Sequence, residues 1–421
     1  MASGDVEVVV VGAGAAGIAA ARRLHDAGIR YLLVEARPRL GGRALTFIDE
    51  SGFALDLGCG WLHSANRNSW CDIAKAQGAS IDKSLPAWMR PSLEFGFSRA
   101  EQDEFGEAMG SFFARLEHVA QNQTDVPSSA ALEPGCRWNG LINAVSTYIS
   151  GAEWDQVSAK DFDRYADSGV NWRVVEGLGT VIRNYGAGLP VTLGCRVIGI
   201  DHRGKRLRVE TEKGAIAADQ VIVSIPTSLL ARERLAFTPG LPKKIEAAQG
   251  LPLGLDDKLF MALDRAEEFD ADVRLFGHTD RAATGAYQFR PLGRPQIEAY
   301  FGGKLAAELE AGGDGAFFDF AVSELTGLLG SDFRYRVKPI QIHRWGLDPF
   351  SRGSYSYALP GFADCRQALA EPVDDRLFFA GEACSVGDFS TAHGAWQTGV
   401  TAADQVLAAR KNAARIVSAS V

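Results

Sequence analysis

The chain has 421 residues, of which 46% are hydrophobic and 23% charged, a composition typical of a globular protein. Its length favours two domains over one simple core. The formal net charge is −8, and no block of basic residues occurs. This balance argues against a nucleic-acid partner, which would require a basic surface to neutralise phosphates, and it is compatible with a cationic small molecule.

The cysteines form no C-x-x-C pair and have no spacing typical of a metal site, so we expect reduced thiols and no metal. Residues 1–5 lead directly into the first predicted strand without the basic segment of an export signal. No stretch approaches 18 uninterrupted apolar residues, so no membrane span is expected. A cytoplasmic location is the resulting expectation.

The first elements predict a βαβ unit: an apolar strand at Val8–Val11, a glycine turn, a helix over roughly 15–27 and the strand "YLLVEA". The turn carries Gly-x-Gly-x-x-Gly, in which Gly12 allows the tight turn and Gly14 lets backbone approach phosphates. Gly17 lets the helix pack close to the strand. Together, these features predict a dinucleotide site.

Glu35 ends the second predicted strand, 18 residues after Gly17, where a carboxylate can accept both ribose hydroxyls of an adenosine. The following "EARPRLGGR" adds the pair Gly41–Gly42 and then Arg43. NAD does not require this extension. In an FAD site, where the cofactor lies extended, an arginine at this position can balance the negative charge of the diphosphate. The sequence therefore favours FAD.

The middle of the chain mixes helices and strands. Residues 98–121 have apolar residues at helical spacing, and 206–226 predict two strands joined by a Lys213–Gly214 turn, followed by an apolar strand. Strands are also predicted at "KLFMAL", "QIEAYF" and "YRVKPIQI", with a helix near 316–329.

Because nucleotide-type elements occur at the start, middle and end, we predict an α/β fold in which a Rossmann-type FAD-binding domain is interleaved with an α+β substrate domain. The FAD-binding domain is assigned to residues 1–75, 181–249 and 366–421. The substrate-binding domain is assigned to 76–180 and 250–365.

The last segment predicts a strand, "LFFAGE", that ends in Gly381–Glu382, followed by a helix beginning within "STAHGAWQTG". Ser390 or Thr391 is the expected N-cap. A helix N-terminus aimed at the pyrimidine edge of a flavin would stabilise the negative charge of its reduced form. Glu382 could hold ribityl or phosphate-side hydroxyls.

The ordered segments resemble the flavin-containing amine oxidases, which include monoamine oxidases, polyamine oxidases and the flavin histone demethylases. The resemblance runs from about residue 6 to 409 and rests on "VVVVGAGAAGIAAARRL…LVEARPRLGGR", "DLGCGWLHS", "DQVIVSIP", "FSRGSYS" and "FFAGE…STAHGAWQTG". It implies FAD bound in a two-domain fold, with the substrate facing the flavin ring under a mixed sheet.

The resemblance also implies roles for individual residues. Lys258 aligns with the lysine that holds a water against flavin N5, Tyr355 with one wall of an aromatic cage, and His63 with a histidine near the substrate amine. With Thr391, these are the candidate catalytic residues. The candidate cofactor-binding residues are Gly12, Gly14, Ala15, Ala16, Gly17, Glu35, Ala36, Arg37, Gly42, Arg43, Gly60, Trp61, Val197, Trp345, Gly381, Glu382, Thr391 and Ala392.

Two departures from the monoamine oxidases matter. Ser354 stands where those enzymes carry a flavin-linked cysteine, so the resemblance implies non-covalent FAD. Thr391 replaces their second cage tyrosine, as in animal polyamine oxidases, which also match His63. A long coiled insertion, an extra N-terminal module and a membrane-anchoring tail are not found, which favours the polyamine oxidases within the family.

Several residues allow a second interpretation. Lys258 could be the solvated end of a strand, although a buried lysine would tend to lose its proton, which suits a water-binding role. His63 could be structural. Tyr357 shares the predicted strand face of Tyr355. The acidic run 256–272 is expected to be a solvated face.

The predicted reaction is oxidation of a polyamine C–N bond by hydride transfer to flavin N5. The amine must arrive neutral, His63 could take its proton, the imine would be hydrolysed, and O2 would reoxidise the flavin to give H2O2. Three alternatives stay open at this point. They are oxidation of another secondary amine or an amino acid, a desaturase or isomerase of the same fold, and a non-enzymatic FAD-stabilised scaffold.

Overall fold

The computed structural model describes residues 6–419, apart from the side chains at 314 and 415–419. The expectation about an export signal concerns residues 1–5 and lies outside this range. The strands are β1 Val8–Val11, β2 Tyr31–Val34, β3 Thr46–Ile48, β4 Ala54–Asp56, β5 Trp61–Leu62, β6 Ile81–Asp82, β7 Trp172–Val174, β8 Val191–Thr192, β9 Val197–Asp201, β10 Leu207–Thr211, β11 Gly214–Ala218, β12 Gln220–Val223, β13 Ala236–Thr238, β14 Asp256–Leu263, β15 Val273–Phe276, β16 Ala286–Phe289, β17 Gln296–Gly302, β18 Val337–Ile342 and β19 Leu377–Phe379. The helices are α1 Ala15–Asp26, α2 Ser69–Ala76, α3 Arg99–Ala120, α4 Asn139–Ser150, α5 Ala159–Asp163, α6 Leu178–Tyr185, α7 Thr227–Leu230, α8 Pro242–Gln249, α9 Gly303–Gly312, α10 Asp314–Leu329, α11 Cys365–Ala370 and α12 Ala392–Ala419.

The first sheet is parallel, in the order β19-β12-β1-β2-β8, and therefore takes strands from the beginning, middle and end of the chain. All four valines of β1 are buried because both faces of the sheet are covered. Val8 and Val10 pack in one core cluster with residues of α1 and α12, and Val9 and Val11 pack in another with residues of β9 and β10. The predicted α/β class and the βαβ start are confirmed.

The second sheet is mixed, in the order β11-β10-β9-β13. The third sheet is antiparallel, in the order β15-β16-β17-β14-β18. Side chains alternate between its two faces. One face, with Met261 and Ala299, packs in a core with residues of α9 and α10 such as Phe317. The opposite face carries Asp256 and Lys258 into a large cavity.

Helices α3, α4 and α5 form a wall beside this cavity. The predicted helix over 98–121 is confirmed: α3 begins with a capping box between Ser98 and Glu101 and buries Phe105, Phe112 and Leu116. The predicted Lys213–Gly214 turn joins β10 to β11. Within residues 6–419, no helix is long and apolar enough to cross a bilayer. The six cysteines are free thiols.

Candidate active site

A cavity of about 930 Å³ extends from the glycine turn after β1 to the third sheet. Gly12 has φ +97°, and a Cβ there would lie 2.8 Å from the backbone oxygen of Ser224. Gly42 has φ +58°, and its added Cβ would lie 3.1 Å from Gly14 Cα, so two chain turns meet closely at this edge. Only glycine fits such a backbone, which leaves room for a diphosphate.

Gly17 has a different role from Gly12 and Gly14. A Cβ at Gly17 would lie only 1.8 Å from the carbonyl oxygen of Gly12, so the missing side chain lets α1 approach the strand, as predicted. Gly17 is not among the residues that line the cavity. It therefore shapes the cradle without bordering it.

Glu35 is fixed at the end of β2 by backbone donors. Its Oε2 accepts from the Ala13 N–H at 2.7 Å and its Oε1 from the Arg37 N–H at 2.8 Å, and the residue is buried. Each carboxylate oxygen has a second lone pair, so Glu35 still has acceptor capacity for ribose hydroxyls. It borders the cavity, where the sequence places the adenosine ribose.

Arg43 and Glu382 form an ion pair at 2.8 Å across 339 residues of sequence. Arg43 also donates to the Ser354 carbonyl, and Glu382 accepts from Ser356 Oγ at 2.6 Å. Although burial would raise the pKa of Glu382, Arg43 holds it below its ordinary value. Both side chains line the cavity, so the pair joins the first glycine-rich loop to the last strand.

Thr391 is the N-cap of α12. Its Oγ1 accepts from the Gly394 N–H at 3.0 Å and donates to the Asp388 carbonyl at 2.6 Å, which decides between the two expected caps. Thr391 and Ala392 border the cavity, so the positive end of the helix dipole faces it.

The other predicted cofactor residues also border the cavity, and two of them are held by partners. The Arg37 guanidinium pairs with Asp348 at 2.7 Å, and the Trp345 indole donates to the Leu57 carbonyl at 2.9 Å. The remaining residues of this set are Ala15, Ala16, Ala36, Gly60, Trp61, Val197 and Gly381. The cradle therefore fits an extended dinucleotide.

Lys258 is buried within β14 rather than at a solvated strand end. Its Nζ lies 3.1 Å from Glu298 Oε1, donates to the Asp56 carbonyl at 3.1 Å, and lies 5.2 Å from the centroid of the Tyr300 ring. Burial would lower the pKa of Lys258, but Tyr300, Glu298 and Asp56 raise it above its ordinary value. The expected loss of the proton is therefore wrong, and the side chain is an ammonium.

His63 borders the cavity with one ring nitrogen engaged. Its Nδ1 lies 2.6 Å from Asn171 Oδ1, an acceptor, so Nδ1 carries the proton and Nε2 has the lone pair. Burial lowers the pKa of His63, which keeps the ring neutral near pH 7. No partner of Nε2 is found among residues 6–419.

Tyr355 and Tyr357 are separated by the structure. Tyr355 lines the cavity and donates to the Tyr148 carbonyl at 2.7 Å. Tyr357 is buried in the helical core and donates to Gln156. Of these two tyrosines, Tyr355 is thus the one at the site.

The acidic run 256–272 is not a solvated face at its start. Asp257 is fully buried and accepts from the Trp345 N–H at 3.0 Å. Asp256 lines the cavity, is only 8% exposed, and has an Oδ1 with no partner in the described part of the chain. Burial raises the pKa of Asp256 well above its usual range.

Asp256, Glu298 and Tyr300 are site residues that the sequence motifs do not predict. The alternation of side chains along a strand could have identified them in part. Asp256 lies on the same face of β14 as Lys258. Glu298 and Tyr300 lie together on one face of β17. Among the described side chains, no group of three His, Cys, Asp or Glu residues suited to hold a metal ion is found.

A family described as flavin-containing amine oxidoreductase matches residues 15–87 and 138–407, most of the chain. The chain belongs to this family. It is 31% identical to polyamine oxidase 2 of Arabidopsis thaliana over 94% of the chain and 87% of that protein. It is 30% identical to polyamine oxidase 3 of Oryza sativa subsp. japonica over 94% of the chain and 88% of that protein.

The chain is also similar to a histone demethylase homologue and to a solved putrescine oxidase structure. Lysine-specific histone demethylase 1 homolog 1 of Oryza sativa subsp. japonica is 30% identical over 98% of the chain, which spans only 53% of that longer protein. The solved structure of putrescine oxidase bound to putrescine superposes with a TM-score of 0.78 at 17% identity, covering 96% of this chain and 99% of that one.

These findings confirm the predicted family, its FAD cofactor and the class of enzyme, a flavin-dependent amine oxidoreductase. The superposition confirms the fold. The roles of the individual residues stay predictions, supported by their positions around the cavity.

Proposed function

We propose that the chain is an FAD-dependent oxidase of polyamines or related amines. The observation that carries this proposal is one continuous cavity that joins the dinucleotide cradle at Gly12 and Glu35 to a chamber bordered by His63, Lys258 and Tyr355. When bound, FAD would supply the acceptor for a hydride from the carbon next to the amine nitrogen. The resulting imine is hydrolysed by water to an aldehyde and an amine. O2 is the proposed final electron acceptor, and H2O2 is its product.

Two observations support a polyamine. The relatives named above include polyamine oxidases of two plants. Asp256 also borders the cavity, and its Oδ1 is buried without a hydrogen-bond partner among the described residues. A buried carboxyl group of this kind is stabilised by an ammonium partner, and a polyamine retains further ammonium groups when one nitrogen is neutral.

His63 is proposed to prepare the amine for oxidation. An alkyl ammonium has a pKa near 10.4, so only about one molecule in a few thousand is neutral at pH 7. The Nε2 lone pair, which the Asn171 bond leaves available, can accept this proton. His63 thus acts as a base through Nε2, and the bond from Nδ1 to Asn171 fixes its tautomer.

Tyr355 and Lys258 are proposed to shape the chamber. The Tyr355 ring, tied to the Tyr148 carbonyl, supplies a wall that desolvates the amine. The Lys258 ammonium has three donors, of which Glu298 and Asp56 take two. The third donor is available to hold a water. A Cβ added at Gly60 would lie 3.4 Å from the Lys258 nitrogen, so the absence of a side chain at Gly60 leaves space beside it.

FAD is proposed to be held without a covalent bond. Ser354 Oγ is occupied within the protein, since it accepts from the Asp256 N–H and donates to the Asp256 carbonyl, both at 2.9 Å. Burial raises the pKa of Cys59 and of Cys384 to about 12, so these thiols are not reactive thiolates near pH 7. The proposed assignment of residues 250–365 to the substrate domain is supported by the third sheet, which residues 256–342 supply completely.

The test is product analysis in air. Purified holoenzyme is incubated with spermine, spermidine, putrescine and benzylamine, and aldehyde and H2O2 are quantified. We expect both products in equal amounts from at least one polyamine and little from benzylamine. Turnover of benzylamine alone would overturn the polyamine assignment, and aldehyde formed without peroxide would overturn O2 as acceptor.

A further inference from the structure

Arg274 places a guanidinium in the cavity at a point that the proposed reaction does not use. It lies on β15, the edge strand of the third sheet, and borders the cavity together with Phe276. The guanidinium carbon lies 4.4 Å from the centroid of the Phe276 ring, which orients the side chain.

The charge of Arg274 is not balanced by the protein. Its one hydrogen bond to a side chain is a long contact of 3.4 Å from Nε to Ser92 Oγ, and no carboxylate within residues 6–419 forms an ion pair with it. Asp272, two residues away, is already bound by Arg173 at 2.7 Å and by Gln288 at 2.8 Å. Burial lowers the pKa of Arg274 to about 10, so the group is still a cation near pH 7.

The register of the sheet places Arg274 far from Lys258. Lys258 pairs with Tyr300, Tyr300 with Ala286, and Ala286 with Phe276, two residues along β15 from Arg274. Three strand spacings of about 4.8 Å therefore separate Lys258 from Arg274 by ~14 Å along the third sheet, which borders the cavity. The cavity therefore has a carboxyl group, Asp256, beside Lys258 and a free guanidinium at the opposite edge.

We propose that Arg274 determines substrate specificity by binding an oxygen acceptor, an amide carbonyl or a carboxylate, at the end of the amine remote from the oxidised C–N bond. This inference rests on the proposed function. A guanidinium donates two parallel hydrogen bonds to such a group, whereas it repels a terminal ammonium. The substrate is thus an amine with one acylated or acidic end rather than a fully cationic polyamine.

The test compares spermidine with its two mono-N-acetyl forms and with an analogue in which a carboxylate replaces one terminal aminomethyl group. We expect kcat/KM of the holoenzyme to be at least roughly tenfold higher for an acetyl form or the carboxylate analogue than for spermidine, mainly through KM. A higher value for the carboxylate identifies an acidic substrate, and a higher value for an acetyl form identifies an amide.

Arg274→Gln should remove this preference by raising KM for the favoured substrate about tenfold with kcat nearly unchanged, and by lowering KM for spermidine, because the repulsion of its terminal ammonium is lost. Arg274→Lys should keep part of the preference for a carboxylate, because the charge remains. The control is Arg99→Gln, since Arg99 is an exposed residue of α3 whose side chain pairs with Asp103.

A wild-type preference for spermidine, or an equal loss on all four substrates in Arg274→Gln, would overturn the role of Arg274 while leaving an active amine oxidase. Spermidine turnover in Arg274→Gln that is at least equal to that of wild type, with unaltered flavin content, shows that the variant is folded. Failure of the wild type to turn over any of the four amines would overturn the proposed function as well.

Discussion

The Lys258 ammonium lies 3.1 Å from the Glu298 carboxylate, and both side chains are buried in neighbouring antiparallel strands over the cavity. The pair explains how a lysine keeps its charge in a buried position. It also makes the lysine a fixed cation of the site rather than a neutral amine, since the attraction outweighs the cost of burial.

Replacing Lys258 with Met should slow turnover while FAD stays bound, because the water-holding donor is removed from the chamber. It should also lower the free energy of unfolding by about 3–5 kcal/mol, since Glu298 is left buried without its partner. Steady-state kcat, flavin absorbance and denaturant unfolding measure the three quantities. In the double variant Lys258→Met/Glu298→Gln, stability should recover in part. Unchanged kinetics in Lys258→Met would remove Lys258 from the mechanism.

Arg43→Met should weaken retention of FAD. The change leaves Glu382 without its cation at the junction of the first loop and the last strand. It also removes the cation expected to balance the diphosphate, and losing a hydrogen bond to a charged group costs about 1.5–3 kcal/mol, which is roughly tenfold or more in affinity. The flavin-to-protein ratio after extended dialysis measures this loss. The exposed Arg23, which pairs with Asp404 on the surface, provides the control Arg23→Met, and equal flavin loss in both variants would contradict the assignment.

Much of the cofactor cradle could be predicted from sequence because its determinants are local. Gly12, Gly14 and Glu35 lie within one βαβ unit, and the residue spacing alone places them together. The chamber is different. The pairing of Lys258 with Glu298 depends on the register of β14 against β17, about 40 residues apart, which local periodicity does not determine.

Burial of charge was the other feature that sequence could not supply. A run that begins with Asp256 and Asp257 has the composition of a solvated face, yet its first two residues are buried because the strand is covered on both sides. Likewise, Arg274 resembles any polar residue of an edge strand until the sheet places it in the cavity.

Asp256→Asn should raise KM for polyamines about tenfold with little change in kcat, because the amide lacks the charge that pairs with an ammonium. Burial raises the pKa of Asp256, and a cation bound beside it should lower that pKa. Substrate binding should therefore release protons at pH values between the pKa of the free and of the occupied site, which calorimetry in two buffers of different ionisation enthalpy, repeated across a pH series, detects. Asp155→Asn, at an exposed position beside Lys304, is the control. The same KM in Asp256→Asn and wild type would contradict this role.

The burial of His63 should make the stability of the protein depend on pH. Burial lowers its folded-state pKa below the ordinary value of 6.5, so the unfolded chain binds the proton more readily. The stability that comes from burying the neutral ring is complete above pH 6.5 and is lost as the pH falls toward the folded pKa. The Tm of wild type should therefore decline more between pH 7 and 5 than that of His63→Gln. Parallel Tm curves for the two proteins would show that His63 does not carry this shift.

The most direct test of amine oxidation in this cavity is anaerobic reduction of the bound flavin. Holoenzyme is mixed with spermidine, its acetyl forms and the carboxylate analogue in a stopped-flow instrument, and the yellow absorbance band is followed. We expect bleaching by at least one of these amines, at a rate that falls about a hundredfold or more in His63→Gln. A flavin that none of them bleaches would contradict it.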